Sequence, residues 1–260
     1  MNNENETIDF RIGMTGYTWN KVVSLLKTLN NEVKFKCEPE GIRVITIDPA
    51  HVSILNILIL RDSLIERDIT DNTVFLLDLK ELPKIADNSY ISLYRENGKL
   101  TIRYNNSTEM QIKELGYYDV YTPKKPALDC ENEFMISAKT LRDFVVDAHK
   151  ISDTIKIELT TSDKLILLSE NENKNIRSEF DNKYGYNIIK QVTNNSISYY
   201  PLDYLYKLMK NTKSVNDLYI SFKTEYPIKI TFKIPVTKDK KAYYPEDMIE
   251  VEYYLAIRTH

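Results

Sequence analysis

The 260-residue chain predicts an α+β fold made of two tandem copies of one unit, each with antiparallel sheets and two helices on one face. Two observations predict it. The order of elements in the first half recurs in the second at a period near 120 residues, because Val22 and Leu141 are 119 apart and Lys84 and Lys207 are 123 apart. The composition also favours strands: there are nineteen tyrosines but six glycines, where ordinary usage would supply about 18.

In the first half, residues 17–30 place Val22, Leu25, Leu26 and Leu29 on one stripe of an amphipathic helix. EVKFKC (32–37) and IRVITI (42–47) read as a hairpin around EPEG, followed by strands at 54–60 and 73–78. Residues 78–88 read as a short helix with Asp78 as N-cap. Pro83 lies inside it, which predicts a shortened helix or an opening 3-10 turn. YISLYRE and KLTIRYN then pair around Asn97-Gly98.

The second half repeats this. Residues 138–151 carry Leu141, Phe144, Val145 and Ala148 at helical spacing, and 154–159 with 164–169 form a hairpin. NIRSEF (175–180) is the counterpart of 54–60, and 201–213 is the second short helix. LYISF, IKITFKI and VEYYLAI are the closing strands. Between the halves, 117–131 holds two prolines, several charges and no periodicity, as a linker would. The expected division is therefore 1–116, a linker at 117–131, and 132–260.

Composition excludes several function classes. Thirty-five Lys and Arg against 38 Asp and Glu give a net charge of −3, which argues against histone-like binding by bulk positive charge. Neither GxGxxG nor GxxxxGK[ST] is present, so the common nucleotide-binding loops are not expected. Cys37, Cys130, His51, His149 and His260 are too few and too scattered for a zinc site. No metal and no other cofactor is expected. A polar, acidic N-terminus and the lack of an 18-residue apolar run predict an intracellular soluble protein without a membrane partner.

Local motifs sharpen the repeat into a resemblance. GIRVITIDPAHVSIL (41–55), NEVKFKCEPEGI (31–42), EYPIKITFKI (225–234) and the terminal EYYLAIR (252–258) together resemble the sliding clamps of the proliferating cell nuclear antigen (PCNA) family. The IDPAHV wording is closest to archaeal clamps, and Ile257 stands where the family usually has proline. Asn-, Lys- and Tyr-rich usage points to an AT-rich archaeal or viral genome. The compartment would be cytoplasmic in an archaeal setting and nuclear in a eukaryotic one.

The resemblance implies a ring of three two-domain subunits, a homotrimer or a heterotrimer with paralogues, threaded by duplex DNA. It implies a non-enzymatic processivity factor that tethers DNA polymerase, is opened by a clamp loader, and holds other replication or repair proteins by short peptides. Ring closure would pair the edges 108–115 and 174–181 of neighbouring subunits. Charge on those strands would equally well protect two free edges.

Two sets of site residues follow. Lys21, Lys27, Lys80, Lys84, Lys139, Arg142, His149, Lys150, Lys207, Lys210 and Lys213 lie on the four helical segments away from their apolar stripes. Those segments hold ten Lys and Arg against six Asp and Glu, so the basic charge gathers where DNA would pass. Lysine tracks phosphates without reading bases, so binding would be independent of sequence. Any one such face is also what an ordinary solvated helix presents. Asp143, Asp147 and Asp203 dilute the pattern. The second set, carried over from the clamp peptide pocket, is Ile47, His51, Val52, Leu128, Pro227, Tyr254, Leu255 and Ala256. Of these, His51 also reads as a structural histidine, and Tyr254 and Leu255 as core.

Rival readings are a clamp-fold scaffold or a checkpoint or transcription clamp that does not serve a polymerase, and a metal-dependent nuclease using Asp48, Asp143 and Asp147. Catalysis gains no support from three histidines that form no Ser-His-Asp order.

Overall fold

The computed structural model describes residues 8–69, 72–105, 107–116, 120–162, 164–181, 187–191, 193–236 and 248–258. Residues 117–119 of the expected linker and His260 lie outside them. The first run of elements is β1 (Ile8–Thr15), α1 (Gly16–Leu26), β2 (Glu32–Glu38), β3 (Gly41–Ile47), β4 (Ser53–Leu60), β5 (Glu66–Asp68) and β6 (Val74–Asp78). A 3-10 turn (Leu79–Glu81), β7 (Tyr90–Glu96), β8 (Lys99–Tyr104) and β9 (Thr108–Ile112) follow. The second run is β10 (Asn132–Ser137), α2 (Ala138–Ala148), β11 (Thr154–Thr160), β12 (Lys164–Glu170), β13 (Asn175–Asp181), β14 (Asn187–Gln191) and β15 (Ser196–Pro201). It ends with α3 (Leu202–Met209), β16 (Asp217–Phe222), β17 (Ile228–Pro235) and β18 (Met248–Leu255).

The duplication is visible in strand order. β5-β1-β7-β8-β9 in the first run corresponds to β14-β10-β16-β17-β18 in the second, and β4-β3-β2-β6 corresponds to β13-β12-β11-β15. Within these orders β2 pairs with β3, and β11 with β12, antiparallel, with Phe35 opposite Val44 and Ile157 opposite Leu167. The β7–β8 hairpin turns at Asn97 and Gly98, both at positive φ, as a two-residue turn between twisted strands requires. Gly41 closes the β2–β3 turn at φ 148, and a Cβ there would collide with the carbonyl oxygen of Ile59.

The predicted apolar stripes are buried. Val22, Leu25 and Leu26 of α1 are fully buried, as are Val145 and Ala148 of α2 and Leu208 of α3. In the first unit Trp19 stacks on Phe35, Phe35 on Phe75 and Phe75 on Phe10, with centroids 6.2, 4.8 and 5.3 Å apart. Such rings supply much of the area that a small sheet–helix core removes from water.

The helices are shorter than predicted, for a common reason. After α1 the amides of Thr28 and Leu29 reach back only three residues, to Leu25 and Leu26. The amides of Ile151 and Thr212 do the same behind α2 and α3, tightening each last turn into 3-10 geometry. The helix predicted at 78–88 is a larger correction. It is a single 3-10 turn, Leu79–Glu81, capped by Asp78 through a 2.9 Å bond from the Lys80 amide. Beyond Pro83 the chain is committed elsewhere. The side-chain amide of Asn20 donates to the Ile85 carbonyl and to Asp87 Oδ1, both at 2.8 Å. The amide of Tyr17 donates to the Asp87 carbonyl.

The chain forms two compact units. One comprises Met1–Ile47, Leu55–Lys124 and Lys233–Val251; the other comprises Asp48–Ile54, Lys125–Phe232 and Glu252–His260. The division at Lys124 falls within 117–131, but two short segments depart from a purely linear division. Hydrogen bonds explain both. The Val236 carbonyl accepts from the hydroxyls of Thr15 and Thr18, and the Met248 carbonyl accepts from Ser63 Oγ, holding 233–251 in the first unit. The turn 48–53 is held by Tyr204, Tyr254 and Ala256 of the second unit.

Candidate functional site

Two groups of residues stand out in the second unit. The first is the face of α2 and α3, where the predicted cations meet the acids noted above. Lys139 pairs with Asp143, Lys150 with Asp147, and Lys207 with Asp203, at 2.7, 2.7 and 2.8 Å. These side chains are half or more exposed, so each pair contributes little to stability and is free to exchange for another anion. His149 stacks on Tyr206 with centroids 4.2 Å apart, and its Nε2 lies 3.1 Å from Asp203 Oδ1. The ammonium of Lys207, followed by His149, holds the Asp203 carboxyl below its ordinary range. Lys210 lies over the Tyr206 ring at 4.1 Å. Lys213 is exposed just beyond the helix. Arg142 differs from the rest: its Nη1 donates to the Thr212 carbonyl at 3.2 Å, so it ties α2 to the turn that follows α3.

In the first unit, Lys27 follows α1 and is exposed, while Lys21 lies 5.4 Å over the Tyr17 ring and is half-buried. Lys80 sits on the 3-10 turn and Lys84 beyond it, both exposed. Neither occupies the short α-helix predicted over 78–88.

The second group surrounds the turn between β3 and β4. Asp48 is 4% exposed and accepts four hydrogen bonds. Oδ1 takes the amides of Val52 (2.8 Å) and Ser53 (2.6 Å). Oδ2 takes the amide of Ala50 (2.9 Å) and the hydroxyl of Tyr204 (2.8 Å). An aspartate that folds the chain back on its own following amides is a common turn device. It leaves Asp48 no lone pair facing a metal, and Asp143 and Asp147 are paired, so the nuclease set is not assembled. Among the described residues no group of three or more His, Cys, Asp or Glu is placed to hold a metal ion.

The turn meets the C-terminal segment. The Ala256 amide donates to the Val52 carbonyl at 2.9 Å, and Ser53 Oγ donates to the Tyr254 carbonyl at 3.1 Å. His51 is exposed at φ 58, with Val52 and Ala256 half-buried beside it in the chain or across these bonds. Leu255 is fully buried and Tyr254 is 4% exposed. Leu255 therefore belongs to the core and offers no accessible wall, and Tyr253 and Tyr254 before it are buried as well. Leu128 and Pro227 are half-buried in the same unit, and Ile47 is the half-buried last residue of β3 in the first unit.

Residues that sequence reasoning did not single out hold this region. Glu252 on β18 takes Lys125 at 2.7 Å and Lys229 at 3.2 Å, pinning the segment after 124 to the strand. Lys229 also lies 5.9 Å over the Tyr254 ring. Tyr204 lies 156 residues from Asp48, and no local pattern signals their bond.

Residues 13–118 match the family model described as proliferating cell nuclear antigen, N-terminal domain. The chain is 25% identical over 229 residues to the DNA polymerase sliding clamp of Thermoplasma acidophilum, covering 85% of this chain and 90% of that protein. It is 27% identical over 237 residues to the corresponding clamp of Methanosarcina acetivorans, covering 86% and 92%. The structure of A. fulgidus PCNA bound by the C-terminal region of FEN-1 superposes with a TM-score of 0.84 at 19% identity, over 98% of this chain and 99% of that one. PCNA from Thermococcus kodakaraensis gives 0.81 at 18% identity, over 96% and 100%. These superpositions show the fold.

Proposed function

We propose that the chain is a member of the proliferating cell nuclear antigen family and acts as a DNA sliding clamp, a non-enzymatic ring that encircles duplex DNA and tethers a DNA polymerase. The observation that carries the reading is the repeated strand order, matched along the chain by clamps of similar length. Each half contributes lysines on or just beyond its helical segments, which is how a ring of repeats would line a central hole with positive charge. The edges needed for closure are available: β9 and β13 each end a strand order. Three copies would form the ring, alone or with paralogues, and a clamp loader would open it.

The DNA-facing residues in this reading are Lys21, Lys27, Lys80, Lys84, Lys139, His149, Lys150, Lys207, Lys210 and Lys213. Arg142 supports α3 from behind them. Partner proteins, a polymerase among them, would dock a peptide beside the turn 48–53, with His51, Val52, Leu128, Pro227 and Ala256 as its walls and Tyr254, 4% exposed, in the same C-terminal segment. The segment 117–131 acts as the connection between a domain at 1–116 and one at 132–260. An intracellular setting follows from this role. Among the described residues, no helix is long and apolar enough to cross a membrane.

The test is solution mass by light scattering, with processive synthesis by a polymerase from the same source as the second arm. A mass three times the 30.5 kDa chain and retention on closed circular but not linear DNA are expected. A single-chain mass without any paralogous partner would replace the ring with a clamp-fold scaffold.

A further inference from the structure

The proposed peptide site depends on a turn that its own aspartate folds and that α3 and the C-terminal segment hold in place. The six residues 48–53 carry one positive-φ residue, His51, which is uncommon for a residue with a Cβ and persists only where surrounding bonds over-determine it. Three of those bonds are local, from the amides of Ala50, Val52 and Ser53 to the Asp48 carboxylate. The fourth comes from α3: Tyr204 Oη donates to Asp48 Oδ2 at 2.8 Å. On its other side the same turn hands two bonds to the C-terminal segment, Ala256 N to the Val52 carbonyl and Ser53 Oγ to the Tyr254 carbonyl.

We propose that Tyr204 and Asp48 are positioning residues for partner-peptide binding, with Tyr204 fixing the Asp48-centred turn against α3, and through it the segment Tyr254–Ala256. This rests on the reading of that region as the peptide site. The carboxylate is the hub because it is the one group that touches the helix and three amides of the turn. Burial, and then the Asp48 carboxylate, push the Tyr204 hydroxyl up to about 12, so it remains a proton donor at neutral pH. Tyr204 stands one turn from Lys207 on α3, and the Lys207 ammonium lies 5.6 Å over its ring. The helix that offers lysines to phosphate thus also sets the geometry of the partner turn, within one unit.

The variants are Tyr204→Phe, which keeps the ring and removes one hydroxyl, and Asp48→Asn, which keeps the shape and removes the charge. The probe is a labelled synthetic peptide of the FEN-1 C-terminal region, the segment bound by the A. fulgidus clamp. Tyr204→Phe is expected to weaken peptide binding about three- to tenfold at unchanged solution mass, and Asp48→Asn to weaken it more, since a charged acceptor is lost from four bonds. Amide exchange supplies a readout that does not depend on the peptide. The Val52, Ser53 and Ala256 amides are expected to exchange several-fold faster in Tyr204→Phe, with the β11 amides unchanged. Wild type that binds while Tyr204→Phe binds equally well would overturn the positioning role and leave the site. Unchanged exchange at Val52 and Ser53 would overturn it likewise. Wild type that fails to bind at all would remove the site and the positioning role with it.

Discussion

The two halves of the chain share a strand order and differ in their helices. α1 and α2 are both 11 residues long, and both bury an apolar stripe at the same place in the order. At the second helix position the second half has α3, eight residues, while the first half has a three-residue 3-10 turn. Charge differs as well. α1 contains no acidic residue, whereas α2 and α3 carry Asp143, Asp147 and Asp203, each in an ion pair. A duplicated framework therefore tolerates loss of a helix and a change of electrostatics, provided the buried positions are kept: Leu79 opening the turn and Leu202 opening α3 are both 0% exposed.

The largest test of that equivalence is truncation of these two leucines. Leu79→Ala and Leu202→Ala are each expected to lower unfolding free energy by about 2–5 kcal/mol in urea titration. A loss below about 1 kcal/mol at Leu79 alone would show that the turn is not the energetic counterpart of α3.

Next in size is Asn20→Ala, which removes both bonds to the 85–87 segment and is expected to cost about 1–3 kcal/mol. Pro83→Ala by itself is expected to leave the far-ultraviolet helical signal unchanged, because Asn20 and Tyr17 still hold residues 85–87 out of a helix. A gain of helical signal in that single variant would make proline, rather than the α1 contacts, the cause of the shortened helix.

The charge difference gives a third test, on duplex DNA. Lys27 makes no ion pair among the described residues, whereas Lys139 must release Asp143 before it meets a phosphate. Lys27→Ala is expected to reduce the slope of log affinity against log salt by about 1, and Lys139→Ala by clearly less. Equal slopes would mean that the acidic partners of the second half do not compete with DNA.

The smallest effect is one of pH. Asp203 is depressed below its ordinary 3.8, first by Lys207 and then by His149. Its stabilising contribution is therefore present above that value and lost as pH falls through the lower, folded one. Because the pair is half exposed, the loss should stay below about 1 kcal/mol. Asp203→Asn should flatten this acid limb; a limb of unchanged height would assign it to other carboxylates.

Most of the framework was legible in the sequence. Alternation along 42–47 or 154–159, and the stripe of Val22, Leu25 and Leu26, are local consequences of periods of 2 and 3.6 residues facing a core. The repeat follows from those local patterns recurring. The lysines of the helix faces were legible for the same reason, being what remains opposite a stripe. Less of the site could be read this way. Arg142 shares the spacing of its basic neighbours yet spends its guanidinium on the Thr212 carbonyl, and Leu255 sits in a matching motif but points wholly inward.

The sequence by itself determined the α+β class, the duplication, the buried stripes and the Asn97-Gly98 turn, since each is read from patterns a few residues long or from their recurrence along the chain. Only the tertiary structure decided that residues 82–88 stay out of a helix, that 48–53 and 233–251 join the units they do, and that Asp48 answers to Tyr204. Those outcomes are settled by hydrogen bonds between residues far apart in the chain, such as Asn20 to Ile85 and Tyr204 to Asp48. A buried polar group must find a partner wherever folding brings one, and no local pattern records which partner that will be.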